Sequence, residues 1–140
     1  MEQNVCPICG SPYVFDESTK RFSCRYCGYI KPKERSSEEE TLLFNAAQRL
    51  RLADFDGANE AYEDIAARFP DSPEAFWGLA LCEYGIKYED DYDGKKIPTC
   101  YAARYESLFE SENFKKAISL ADSELKAYYE SQAKLIERVR

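Results

Sequence analysis

Ala58-Asn59-Glu60-Ala61-Tyr62-Glu63-Asp64-Ile65-Ala66-Ala67-Arg68-Phe69-Pro70 places apolar side chains at Ala58, Ala61, Tyr62, Ile65, Ala66 and Phe69. Steps of three and four residues put these on one face of a helix, and Pro70 stops it because proline has no N–H to donate. Upstream, Ser37-x-x-Glu40 reads as a capping box opening an earlier helix, with Leu42, Leu43, Ala46, Ala47 and Leu50 at helical spacing. That pattern breaks at Asp54-Phe55-Asp56-Gly57. Downstream, Ser72 reads as the cap of a third helix and Pro73 as its first residue. This helix carries Phe76, Trp77, Leu79, Ala80, Leu81 and Tyr84 and is expected to end near Gly85. Trp77 is expected to be buried between the first helical pair and the C-terminal helix.

The spacing Ala58-x3-Tyr62-x2-Ile65-x4-Pro70 resembles the second helix of a tetratricopeptide repeat. A period of ~34 residues puts the repeat start near Glu39 and aligns Ala46 with Ala80. Ala117-x3-Ala121 can then belong to the matching helix of a second pair, separated from the third helix by an insertion from Ile86 to about Asn113. The resemblance implies two antiparallel pairs stacked so that each covers the other's apolar face. An ordinary helical bundle is the alternative. Within the insertion, Asp93-Gly94 is a hairpin turn signal, Pro98-Thr99 is expected to end the hairpin, and Thr99 to cap a short helix through Tyr105, Leu108 and Phe109. The acidic run Glu89-Asp90-Asp91-Tyr92-Asp93-Gly94 is not an EF-hand loop, because Cys100 falls where the bidentate glutamate is needed.

The N-terminus has a different chemistry. Cys6-Pro7-Ile8-Cys9-Gly10 and Cys24-Arg25-Tyr26-Cys27-Gly28 repeat C-x2-C-G with 14 residues between the pairs. Two-residue spacing turns both thiols of a pair toward one ion, and the following glycine permits the positive φ of such a turn. Four thiolates in tetrahedral array suit one Zn²⁺; iron–sulfur ligation by the same residues is the lesser alternative. Tyr13-Val14-Phe15 and Arg21-Phe22-Ser23 read as the strands of a hairpin turning at Asp16-Glu17-Ser18-Thr19. So small a module cannot build its own core, so the metal is expected to be structural, and stripping it to unfold residues 1–34 while sparing most helix. Domains are expected at 1–34, a zinc ribbon, and 35–140, a tetratricopeptide-like helical domain with the insertion at about 86–113.

The 140-residue chain has a net charge of −7, but residues 1–35 hold six bases against four acids. Arg21, Phe22, Arg25, Tyr26, Tyr29, Lys31 and Lys33 interleave cations and aromatics, as a nucleic-acid platform would. The overall acidity disfavours that partner, because phosphate affinity needs concentrated positive charge. The absence of histidine removes Ser-His-Asp and Cys-His catalysis. Cys82, in an apolar helix, is expected to be a buried thiol and Cys100 to be more exposed; neither has a histidine to activate it. The longest apolar run, Ala75 to Cys82, is far below the ~20 residues of a membrane span, and no signal peptide is visible. The expectation is a cytoplasmic protein that is not an enzyme.

From Phe114 onward an apolar stripe runs through Ala117, Ile118, Ala121, Leu125, Tyr128, Tyr129, Leu135, Ile136 and Val139. Its later members outrun a two-pair stack. They either fold back over the first pair or the ribbon, or form an interaction surface around Tyr128, Leu135 and Ile136 for self-association or a downstream effector.

Three further segments carry a wider resemblance. They are Asn45-Ala46-Ala47-Gln48-Arg49-Leu50-Arg51-Leu52, Ala75-Phe76-Trp77-Gly78-Leu79-Ala80-Leu81-Cys82-Glu83-Tyr84-Gly85-Ile86-Lys87-Tyr88, and Gly94-Lys95-Lys96-Ile97-Pro98-Thr99. With the zinc ribbon, they resemble the N-terminal region of bacterial proteins that join such a ribbon and a tetratricopeptide-like region to a C-terminal TIR domain. The resemblance covers nearly all of this chain and stops before any TIR segment. It implies a zinc-stabilised adaptor or sensor that binds a protein or self-associates to control an effector. A nucleic-acid-binding zinc ribbon with a helical spacer is the alternative.

Overall fold

The computed structural model describes residues 6, 8–18, 20–31, 35–102 and 104–140. The fold is mostly α. Strands β1 (Tyr13–Asp16) and β2 (Arg21–Cys24) form an antiparallel hairpin with Tyr13 opposite Cys24. Helices α1 (Ser37–Arg51), α2 (Phe55–Arg68) and α3 (Pro73–Glu83) follow. A second hairpin, β3 (Ile86–Asp90) with β4 (Lys96–Cys100), leads through a 3-10 turn at Leu108–Glu110 to α4 (Glu112–Leu120) and α5 (Ser123–Val139). Consecutive helices pack on each other from α1 to α4, while α5 lies along β4 and the 3-10 turn.

The caps explain these boundaries. Ser36, not Ser37, accepts from the Glu39 N–H at 3.1 Å, so the helix cap lies one residue earlier than expected. Asp54 caps α2 through Gly57 N, and Ser72 caps α3 through Ala75 N with Pro73 in the first turn. The C-terminal stripe is two helices, not one. Asp122 caps α5 by accepting from Leu125 N at 2.9 Å, which breaks the chain after α4.

The insertion differs from expectation in a second way. Pro98 and Thr99 do not end the hairpin; Pro98 sits in β4 opposite Tyr88. A two-stranded hairpin has an outer edge on which a missing N–H leaves no ladder bond unmade. The Thr99 hydroxyl bonds to the Lys87 carbonyl and the Glu89 carboxylate, and Ser107 caps the 3-10 turn instead.

One continuous core runs from the ribbon cysteines through Leu43, Leu50, Ile65, Leu81 and Leu125 to Ile136. Trp77 is fully buried, as expected, but its aromatic neighbours are Tyr129 of α5 at 4.6 Å and Phe114 of α4 at 6.1 Å, where the expectation was the first helical pair and the C-terminal helix. Gly78 is required by its neighbour, since a Cβ there would fall onto the buried Tyr62 ring of α2.

Of the two courses open to the stripe at Tyr128, Leu135 and Ile136, burial within the chain or an interaction surface, the structure shows burial for most of it. Ile136 is fully buried, Tyr128 is covered by the ribbon, and only Leu135 stays half-open. The ribbon, β4 and the 3-10 turn lie along α5 and supply the cover that two helical pairs alone lacked. The expected boundary between residues 34 and 35 falls beside residues 32–34, which lie outside the described residues.

A buried ion pair ties the segment before α1 to α3. The Arg35 and Glu74 side chains are 4% and 5% exposed and in direct contact. Burial pushes the Glu74 carboxyl up, to about 8, and the Arg35 guanidinium opposes that push. In an Arg35→Met chain the opposition is gone. A carboxyl whose folded-state pKa lies above its unfolded value contributes stability at low pH and loses it as pH rises through the folded value. The native chain, with Arg35 in place, already carries this loss from about pH 4.5 to about pH 8, so the variant's extra stability deficit is expected to widen only above about pH 8, by at most about 1.4 kcal/mol per pH unit. Urea unfolding of both chains from about pH 7 to about pH 10 checks it; a deficit independent of pH would show that Arg35 does not hold the Glu74 carboxyl down.

Candidate metal centre

Each C-x2-C-G segment folds into the same tight turn. In the first, Gly10 N donates to the Cys6 carbonyl at 2.8 Å and Cys6 N to the Ser11 carbonyl at 2.7 Å. In the second, Gly28 N donates to the Cys24 carbonyl at 3.0 Å and Cys24 N to the Tyr29 carbonyl at 2.8 Å. Gly10 and Gly28 have φ of 82° and 86°, the left-handed region that L side chains rarely adopt. Both turns also aim a backbone N–H at sulfur: Ile8 N at Cys6 Sγ (3.3 Å) and Tyr26 N at Cys24 Sγ (3.4 Å). These donors favour the thiolate form.

The pairing of β1 with β2 brings the two turns together. Cys6, Cys9, Cys24 and Cys27 are all buried, and their sulfurs lie within 4.8 Å of one another. Cys6 Sγ is 3.6 Å from Cys27 Sγ, and Cys9 Sγ is 3.5 Å from Cys24 Sγ. A tetrahedron with metal–sulfur bonds of ~2.3 Å has sulfur–sulfur edges of roughly 3.8 Å, so the set fits a thiophilic dication. The four residues named from spacing alone therefore come together in a cluster that could hold a metal ion.

The electrostatics point the same way. Burial pushes the Cys6 thiol well above its usual range, and hydrogen bonding with Cys24 raises Cys27. Hydrogen bonding with Cys24 lowers Cys9, and that with Cys27 brings Cys24 down to about 7. Four crowded, buried sulfurs thus retain protons on some members; a bound dication would replace those protons and be bound less tightly at acid pH.

The surroundings of the cluster had no local sequence signal. The Tyr128 hydroxyl of α5 lies 3.7 Å from Cys27 Sγ, and Gln132 Nε2 donates to the Cys27 carbonyl at 3.3 Å. Tyr88 of β3 donates its hydroxyl to Gln132, and Lys96 N of β4 donates to the Tyr26 carbonyl at 2.8 Å. Tyr29 meets Tyr128 edge-to-face at 5.5 Å. On the other side the Arg51 side chain of α1 crowds Gly10, where an added Cβ would stand 3.1 Å from its Nε. Arg21 of β2, almost fully buried, donates to Asp122 at the start of α5. The ribbon is thus clamped by α1, α5 and the second hairpin.

The other cysteines lie apart from this centre. Cys82 is half-buried, and burial pushes its thiol up to about 12. Cys100 is also half-buried, its thiol donating to the Tyr84 carbonyl at 3.1 Å. Among the described residues, no helix is long and apolar enough to cross a membrane. Comparisons with family models, with curated proteins and with solved structures returned no match.

Proposed function

We infer that the chain is a non-enzymatic helical adaptor or sensor domain, stabilised by one structural Zn²⁺ on Cys6, Cys9, Cys24 and Cys27. Its work on this reading is protein–protein interaction or self-association. The observation that carries it is the closure of the cysteine cluster. All four thiols are buried, so a tetrahedral ion held by them keeps no open position for water or substrate. A metal so enclosed braces the ribbon against α5 and the hairpin.

The resemblance to the N-terminal region of TIR-containing bacterial proteins extends the reading to control of a TIR-like effector in the cytoplasm. Any catalysis would belong to the effector, not to these residues. Elemental analysis should find one zinc per chain, and labelled RNA and DNA mixed with the zinc-loaded chain across a salt series should stay free. Absence of stoichiometric metal sinks the zinc assignment. Nucleic-acid binding that weakens steeply with salt sinks the adaptor reading in favour of a nucleic-acid-binding ribbon.

A further inference from the structure

The clamp around the second cysteine turn leaves a groove of about 560 Å³ between the ribbon, the second hairpin and α5. Its apolar lining includes Ile30, Ile97 and Leu135, one from each wall and each half-buried. Leu135 belongs to the C-terminal stripe; it is the member that the ribbon and hairpin leave accessible. Arg25, Lys95 and Lys96 add positive charge to the lining. Lys96 is paired with Asp90, but Arg25 and Lys95 are exposed and have no carboxylate partner among the described residues. The one acid in the lining, Glu124, faces the buried Arg21 guanidinium at 3.6 Å. In a chain of net charge −7, this groove reverses the local sign.

We propose that this groove docks a short acidic segment of a partner protein, with an aliphatic side chain entering between Ile30, Ile97 and Leu135 and flanking carboxylates meeting Arg25 and Lys95. The proposal rests on the protein-interaction reading above and names the partner's chemistry. A pocket of aliphatic side chains accepts an aliphatic anchor, and the two unpaired cations at the exposed lining select its flanks by charge. Two free cations are too few for a nucleic-acid backbone, which needs a concentrated patch. The walls are held in place: Lys96 N bonds to the Tyr26 carbonyl, and Gln132 joins Cys27 to Tyr88. A peptide therefore meets a preformed site, and little ordering of the groove opposes its binding.

The test is selection from a random-peptide display library on the zinc-loaded full chain. Fluorescence anisotropy then follows with a labelled synthetic copy of the best binder. Enriched peptides should carry Asp or Glu beside Leu, Ile or Met. The double variant Arg25→Glu/Lys95→Glu should weaken binding roughly ten-fold or more, with zinc content and helical circular dichroism unchanged because both side chains are exposed. Arg25→Lys/Lys95→Arg, which keeps both charges, should bind within a few-fold of the native chain. Enrichment of basic or neutral peptides, or indifference to charge reversal, overturns the assignment while leaving a protein-binding domain. A short RNA captured through the same two cations overturns it in favour of nucleic acid. Self-association that depends on them overturns it in favour of a second copy of this chain. A monomeric chain from which no peptide is enriched overturns both the groove and the adaptor reading.

Discussion

Cys27→Ser is expected to abolish stoichiometric metal binding and to lower the thermal midpoint of the helical body as well as that of the ribbon. From composition alone, residues 1–34 look like a module whose loss would spare the helices. The contacts argue otherwise. Cys27 is the cysteine that α5 holds, through Tyr128 at its sulfur and Gln132 at its carbonyl, and Gln132 in turn holds Tyr88 of the hairpin. Tyr29, fully buried, packs on Tyr128 from the same turn. When the cluster opens, α5 and β3 lose the surface they are built on, and buried hydroxyl and amide groups lose partners at about 1–3 kcal/mol each. Two or three such losses correspond to a fall on the order of 10 °C for a chain of this size. Differential scanning calorimetry of native and variant chains, with zinc measured in both, checks the result. A metal-free variant whose helices melt at the native temperature would show that the ribbon is an independent appendage.

The parts of the fold legible in the sequence were those written in short range. Pro70, Ser72 and Pro73 set the α2–α3 junction through local hydrogen bonds and a missing N–H, so their reading transfers directly to the structure. The doubled C-x2-C-G motif is equally local within each turn, and the short hairpin of β1 and β2 between the two turns makes them meet. Asp122 was legible in principle, since an acid followed by Ser123 and Glu124 is a usual helix start. The apolar residues on both sides of it masked the break.

What the sequence did not reveal lies at long range. Tyr128 and Gln132 reach Cys27 across more than one hundred residues, and no spacing rule connects an α5 amide to a cysteine turn. The amphipathic stripe of α5 was visible, but not what covers it. A helix needs only some apolar surface opposite, and here the ribbon and an inserted hairpin supply it. Arg35 and Glu74 read as surface charges in any window of sequence. Their burial follows from a contact distant in sequence, between Arg35, just before α1, and Glu74 in the first turn of α3.

Trp77→Ala tests how far the helical body depends on that convergence. The indole is fully buried and stacks on Tyr129 of α5 at 4.6 Å with rings 20° apart, while Phe114 of α4 borders it at 6.1 Å. Truncation removes the contact shared by three helices and leaves a cavity that the neighbouring Gly78 cannot fill, because Tyr62 already occupies its space. A site that cannot collapse sits at the upper part of the large-to-small range, so a loss of about 3–5 kcal/mol is expected. Trp77→Phe keeps most of the ring volume and the stack on Tyr129, and is expected to cost less than half as much. Urea unfolding followed by circular dichroism compares the two, because the native chain's only tryptophan is lost in both. If both substitutions cost the same, ring stacking and volume at this position do not set the stability of the body. If the alanine variant costs under about 1 kcal/mol, α5 is held by its ribbon contacts alone and the two halves of its apolar stripe act independently.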